Sequence, residues 1–127
     1  AVFISVKDSD KPLILDAVRD LSAMGFKLVA TSGTARYLED QGLEVETINK
    51  VIEGQPHIVD RMINGGIQLV FNTTEGVQSL KDSSSIRRTA LTRKIPYFTT
   101  LAASRASVQA IRTLRDRELT VRPLQQA

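Results

Sequence analysis

A glycine turn rich in hydroxyl groups follows an apolar stretch early in the chain. Residues 28–30 lead directly into Thr31-Ser32-Gly33-Thr34, and a helical pattern begins at once. The first N–H groups of a helix lack intrahelical acceptors and carry partial positive charge. Glycine lets an anion approach the backbone, and threonine hydroxyls donate further hydrogen bonds. The turn therefore suits a phosphate group, and simple helix capping by Thr or Ser is the alternative interpretation.

Similar polar groups follow other predicted strands, at the point where each strand ends. Strand by strand, these groups are Ser5, Thr31, Thr34, Asn72 and Thr74. Ligands of parallel α/β sheets bind beyond the carboxyl ends of the strands, where these groups would meet. Lys11, in the first turn of a predicted helix, and Lys50, just past the third strand, would supply positive charge. Together they predict one anion site, although each lysine alone is more typical of a solvated side chain.

The hydrophobic pattern alternates between short strands and amphipathic helices. Strands are predicted at 2–6, 26–30, 45–48, 67–71 and 97–99, and a last one at 119–121. A first helix is predicted from an N-cap at Asp8 or Ser9 to a stop at Gly25. Further helices are predicted at 34–41, 57–64, 82–94 and 104–115. This alternation predicts an α/β fold, a three-layer α/β/α sandwich. Its mainly parallel, five-stranded Rossmann-like sheet would carry helices on both faces.

Length and composition restrict the classes of protein. The 127 residues are enough for one domain with a core, 1–127, and the start in an apolar run without methionine predicts a piece of a longer chain. Cysteine is absent, which excludes disulfides and thiolate chemistry and is typical of a reducing compartment, so we expect a cytoplasmic protein. No apolar stretch is long enough for a bilayer. Arginines at 105, 112, 115 and 117 are spaced as on a solvated helix, without aromatic partners for nucleic acid.

Other candidate functional residues favour structural roles. His57 is the only histidine, and no serine–histidine–carboxylate grouping surrounds it, so a role at a helix start is preferred to that of a general base. Arg87 and Arg88 lie in a helix with apolar spacing, where ion pairing is preferred to an interface role. Tyr97 and Thr99 would lie on the same side of a strand.

Several of these motifs together carry a resemblance that covers essentially the whole chain. The chain resembles the methylglyoxal-synthase-like regulatory domain at the C-terminus of the carbamoyl phosphate synthetase large subunit. The matching motifs are Ile4-Ser5-Val6 with Lys11, Ala30-Thr31-Ser32-Gly33-Thr34-Ala35, Asn49-Lys50-Val51-Ile52-Glu53-Gly54-Gln55-Pro56-His57-Ile58, Asn72-Thr73-Thr74-Glu75-Gly76, Ile86-Arg87-Arg88-Thr89-Ala90-Leu91 and Tyr97-Phe98-Thr99-Thr100-Leu101.

The resemblance implies an allosteric domain that performs no chemistry and has no cofactor or metal of its own. Its effectors would be UMP as inhibitor and IMP as activator. The implied nucleotide and phosphate contacts are Ser5, Lys11, Thr31, Gly33, Thr34, Lys50, Asn72 and Thr74. Tyr97 and Thr99 would contribute half of an ornithine site at the border with a neighbouring domain.

The resemblance also implies a parent enzyme and its partners. That enzyme would be an ATP-dependent, glutamine-hydrolysing ligase that uses Mg or Mn and serves pyrimidine and arginine biosynthesis. The partners would be the rest of the large subunit and the glutaminase small subunit, with homo-oligomerisation left open, and neither nucleic acid nor membrane is expected.

Two alternatives stay open at this point. One is a methylglyoxal synthase, which needs a carboxylate base in a Gly-Gly-Asp-Gln stretch. The aligned residues here are Gly54-Gln55-Pro56-His57, and Asp60 lies one helical turn further on. The other alternative is a purely structural oligomerisation domain.

Overall fold

Apolar strands and amphipathic helices alternate along the chain and build a parallel sheet between helices. The computed structural model describes residues 1–48, 58–73 and 77–126, with side chains described outside 77–83 and 117–126. The elements in chain order are β1 (Val2–Ser5), a 3-10 turn (Asp8–Asp10), α1 (Lys11–Ala23), β2 (Leu28–Ala30), α2 (Ser32–Asp40), β3 (Val45–Thr47), α3 (Ile58–Ile63), β4 (Leu69–Asn72), α4 (Val77–Thr92), β5 (Tyr97–Phe98) and α5 (Leu101–Gln126).

The sheet has five strands in the order β3-β2-β1-β4-β5, and every pair of neighbours is parallel. β1, β2 and β4 are buried along their whole length, as expected of strands covered on both faces. The predicted α/β sandwich with a five-stranded parallel sheet is therefore confirmed. The central position of β1 places the loop that follows it between the ends of β2 and β4.

Two hydrophobic cores lie on opposite faces of the sheet because successive strand residues alternate in direction. One face carries Ile4, Ala30 and Phe71 against α1, α2 and α5. The other carries Phe3, Val29 and Val70 against α3 and α4. The sheet thus has helices on both sides, as the sequence predicts.

The ends of the helices have identifiable causes. Gly25 has φ +94° and follows α1, which confirms the predicted stop, because only glycine adopts that conformation readily. The Oγ1 atom of Thr100 accepts a hydrogen bond from the N–H of Ala103 at 3.1 Å and caps α5. α5 therefore begins at Leu101, earlier than the predicted 104.

The predicted strand at 119–121 is wrong, because these residues lie within α5. Helix propagation adds one hydrogen bond for each residue fixed, so a helix that has begun at Leu101 continues through a short β-favouring triplet. α2 begins at Ser32, two residues before the predicted start, and α4 begins at Val77 instead of 82. Within the described ranges, no helix is long and apolar enough to cross a bilayer.

Candidate functional site

A row of polar side chains crosses the sheet at the carboxyl ends of the strands. Ser5 pairs in register with Asn72, and Thr31 follows Ala30, which pairs with Ile4. Thr31 Oγ1 donates a hydrogen bond to Ser5 Oγ at 3.2 Å, and all three polar side chains are buried. The parallel register therefore brings the strand-end groups together at one edge.

Tyr97 extends this row to the edge strand β5. The amide nitrogen Nδ2 of Asn72 donates a hydrogen bond to the Tyr97 hydroxyl oxygen at 3.0 Å. The Tyr97 ring is half-buried against the core that packs on α3 and α4. Burial raises the pKa of the Tyr97 phenol, while the Asn72 hydrogen bond and the charge of Arg87 act in the opposite direction. The phenol is therefore neutral at physiological pH.

Two threonines fix the loop that leaves β1. The Val6 N–H donates to Thr34 Oγ1 at 3.3 Å, and the same hydroxyl lies 3.5 Å from the Val6 carbonyl oxygen. On the other side, the Lys7 N–H donates to Thr73 Oγ1 at 3.0 Å. These bonds join the loop to the start of α2 and to the end of β4.

The ammonium group of Lys11 lies beside the first turn of α2. A Cβ atom added to Gly33 would be 3.4 Å from Lys11 Nζ, so the ammonium lies directly beside this glycine. The side chain of Lys11 is only 15% exposed, and its ammonium donates to Asp8 Oδ1 at 2.6 Å. This hydrogen bond and the lysine charge hold the pKa of the Asp8 carboxyl below its usual value. A cation therefore stands where α2 presents its first N–H groups.

A cleft of about 350 Å³ opens beside this lysine, between the starts of α1 and α2. Its lining residues are Asp8, Lys11, Pro12, Gly33, Arg36, Tyr37 and Asp40. The cleft thus combines two cations and two carboxylates with a glycine at a helix start and an aromatic ring. Such a set can hold a phosphate ester by hydrogen bonds and charge, with apolar surface left for the rest of the molecule.

The sequence-predicted site residues fall into three groups. Ser5, Thr31, Thr34 and Asn72 lie at the carboxyl edge of the sheet, and Lys11 meets Gly33 at the start of α2. Thr99 follows β5 and is exposed. Lys50, Thr74 and the candidate helix-start residue His57 lie outside the described residues.

Sequence reasoning missed the roles of Asp8, Thr73, Arg36 and Tyr37. Asp8 stands three residues before Lys11, a spacing that suits an ion pair at the start of a helix and is visible in the sequence. Thr73 lies within a quoted motif, but its bond to the loop after β1 depends on the sheet order. Arg36 and Tyr37 follow the glycine turn, and they line the cleft together with residues from the start of α1, which are distant in sequence.

The fold and this edge define a parallel α/β domain with a lysine ammonium at a helix start close to its central strand. The chain belongs to the MGS-like domain family, whose sequence profile matches residues 13–99. Its relatives include the carbamoyl phosphate synthase large chains of Myxococcus xanthus and Pseudomonas putida, each 52% identical over 98% and 97% of this chain, and that of Rhizobium meliloti, 51% identical over 98%. The chain spans only 11–12% of the length of these relatives.

Among solved structures, the chain is similar to a methylglyoxal synthase from Elizabethkingia anophelis. The TM-score is 0.66, the sequence identity is 16%, and the match covers 84% of this chain and 76% of the other. The two chains share the α/β fold, and at this identity the comparison carries no inference about activity.

Proposed function

We propose that this domain binds a nucleoside monophosphate and acts as an allosteric domain of a carbamoyl phosphate synthase large chain. The phosphate would lie between the Lys11 ammonium and the first turn of α2. The observation that carries this proposal is the position of Lys11 Nζ, 3.4 Å from where a Gly33 Cβ would stand. A phosphate would accept hydrogen bonds from this ammonium and from the first N–H groups of α2 at the same time.

The identity of the effectors rests on the family relationship and on the chemistry of the edge. UMP and IMP share the phosphate and differ in the base, so the phosphate contacts would be common and the base contacts would set the sign of the effect. Ser5, Thr31, Thr34 and Asn72 would contribute polar contacts, with Lys50 and Thr74 completing the set. Tyr97 and Thr99 would contribute to an ornithine site toward a neighbouring domain of the large chain.

The rest of the large chain and a glutaminase subunit would be the partners through which the effectors act. A ligand shifts an equilibrium between two conformations only by its differential affinity for them. Couplings of about 1–3 kcal/mol are typical, which correspond to changes of about 5- to 150-fold in affinity. ATP and Mg or Mn would belong to the parent enzyme and not to this domain.

Isothermal titration calorimetry of the 127-residue chain with UMP, IMP and inorganic phosphate tests the proposal. Lys11→Met keeps most of the length of the unbranched side chain and removes its charge. Losing a charge-assisted hydrogen bond of about 1.5–3 kcal/mol should weaken all three ligands by about tenfold or more. The matched control is Lys27→Met, because Lys27 also pairs with a carboxylate, Glu46 at 3.0 Å, but lines a different cleft.

Three results would contradict the proposal. If Lys11→Met and the unaltered chain bind the ligands with equal affinity, the phosphate does not bind in this cleft. Undetectable binding of every nucleotide would favour a structural oligomerisation domain. Formation of methylglyoxal from dihydroxyacetone phosphate would establish enzymatic activity, for which an ionisable base must reach the abstracted proton.

A further inference from the structure

The pairing of Lys11 with Asp8 has a consequence for any anion that enters the cleft. Lys11 is the first residue of α1, and its ammonium lies beside the first turn of α2. The positive ends of two helix dipoles therefore face a positive side chain, which is an unfavourable arrangement without a counter-ion. The Asp8 carboxylate provides this counter-ion at 2.6 Å.

The two partners differ sharply in their surroundings. The Lys11 side chain is 15% exposed, whereas the Asp8 side chain is 93% exposed. Asp8 also lies in the short 3-10 turn that precedes α1, and both residues line the same cleft. The carboxylate can therefore rotate into water at little cost, while the lysine is held by its neighbours.

We propose that Asp8 is an internal competitor of the phosphate effector: its carboxylate occupies Lys11 in the free domain and lowers the affinity of the site. This inference rests on the proposed function, because it concerns the same phosphate site. A phosphate that approaches Lys11 meets a carboxylate of the same charge sign. Binding therefore requires Asp8 to turn away or to share the ammonium, and either change opposes binding.

The expected size of the effect follows from the exposure of the carboxylate. Exposed ion pairs contribute little, so removing the competitor should tighten phosphate binding by about two- to fivefold. The opposite role, in which Asp8 holds Lys11 in place for the ligand, predicts weaker binding after the same substitution. The sign of the change thus separates competition from positioning.

The test compares Asp8→Asn with the unaltered chain, with inorganic phosphate and UMP as probes and calorimetry at constant ionic strength. Asp40→Asn is the matched control, because Asp40 lines the same cleft and its substitution removes the same charge. Competition at Lys11 predicts tighter binding of both probes to Asp8→Asn. Asp40→Asn should change the affinity by less than about 1.5-fold, as expected of a more distant, screened charge. Circular dichroism and thermal unfolding of each variant establish that it is folded.

Unchanged or weaker binding to Asp8→Asn would overturn the inference, as would an equal gain in Asp40→Asn, which would indicate a general effect of charge. Lys11→Met separates this failure from that of the proposed function. If Lys11→Met loses phosphate affinity while Asp8→Asn keeps the affinity of the unaltered chain, the phosphate site is supported and the proposed competition by Asp8 is wrong. If no chain binds phosphate, the proposed function itself fails.

Discussion

Replacing Gly33 by alanine should strengthen the fold and weaken the site at the same time. Gly33 is the second residue of α2, within a nine-residue helix. An added Cβ meets Lys11 Nζ at 3.4 Å, an ordinary van der Waals distance, so the methyl group fits without rearrangement. Alanine is favoured over glycine within helices by about 0.8–1 kcal/mol, and in a first turn we expect about half of that gain.

The same methyl group stands between the lysine ammonium and the start of α2, where a phosphate oxygen would approach. The oxygen can no longer reach the backbone N–H of residue 33 at hydrogen-bonding distance. Loss of one charge-assisted hydrogen bond, about 1.5–3 kcal/mol, weakens phosphate binding by about 10- to 150-fold. Stability and affinity should therefore change in opposite directions.

Urea unfolding measures the stability of Gly33→Ala, and calorimetry with inorganic phosphate and UMP measures its affinity for the ligands. Gly25→Ala is the control, because Gly25 has φ +94° and nothing within 4 Å of its added Cβ. It should lose about 1 kcal/mol of stability from backbone strain and keep its phosphate affinity. If Gly33→Ala binds phosphate as well as the unaltered chain, the anion does not approach the start of α2 and the reasoning fails.

Two further substitutions test contacts around the sheet. Thr34→Val removes the acceptor of the buried Val6 N–H and should lower the free energy of unfolding by about 1–3 kcal/mol, whereas a change below about 0.3 kcal/mol in urea unfolding would contradict that bond. Hydrogen bonds from Arg61, and then Lys27, lower the pKa of Glu46 from 4.5 to about 2. The pKa of Glu46 is lower in the folded chain than in the unfolded chain. These hydrogen bonds therefore stabilise the fold fully above about pH 4.5, and their contribution decreases as the pH falls toward 2. Because Glu46 is partly exposed, Glu46→Gln should lower the free energy of unfolding by only about 1 kcal/mol at neutral pH. The unfolding curves of Glu46→Gln and the unaltered chain should converge near pH 2.

The sequence is sufficient to predict the sandwich because its strongest signals are local. Continuous apolar runs such as 28–30 and 69–71 belong to strands covered on both faces, and those strands are fully buried. Gly25 marks the end of α1 because glycine adopts a positive φ readily, and this preference belongs to the residue type itself. The long α5 is the exception, since its continuation through 119–121 depends on cooperative propagation and not on the preference of single residues.

The candidate site is less predictable because its contacts join distant segments. The row from Thr31 through Ser5 to Asn72 follows from the order of β2, β1 and β4, which strand ends alone do not specify. The hydroxyl of Thr34 is expected from the sequence to face a ligand, and in the structure it also hydrogen-bonds the Val6 backbone. A side chain that serves the fold in this way can still border a site, so its role as a ligand contact stays a prediction.

The arrangement of the polar row bears on how an effector signal would leave the domain. Ser5 is paired in register with Asn72, and Asn72 donates to the Tyr97 hydroxyl on the edge strand β5. A shift of register by one residue would move these side chains to the other face, so the packing of both cores fixes the row. Under the proposed function, a ligand contact at Asn72 would bear directly on the orientation of Tyr97 at the sheet edge. One hydrogen bond contributes about 0.5–1.5 kcal/mol, which reaches the lower part of the range of about 1–3 kcal/mol that is typical of allosteric couplings.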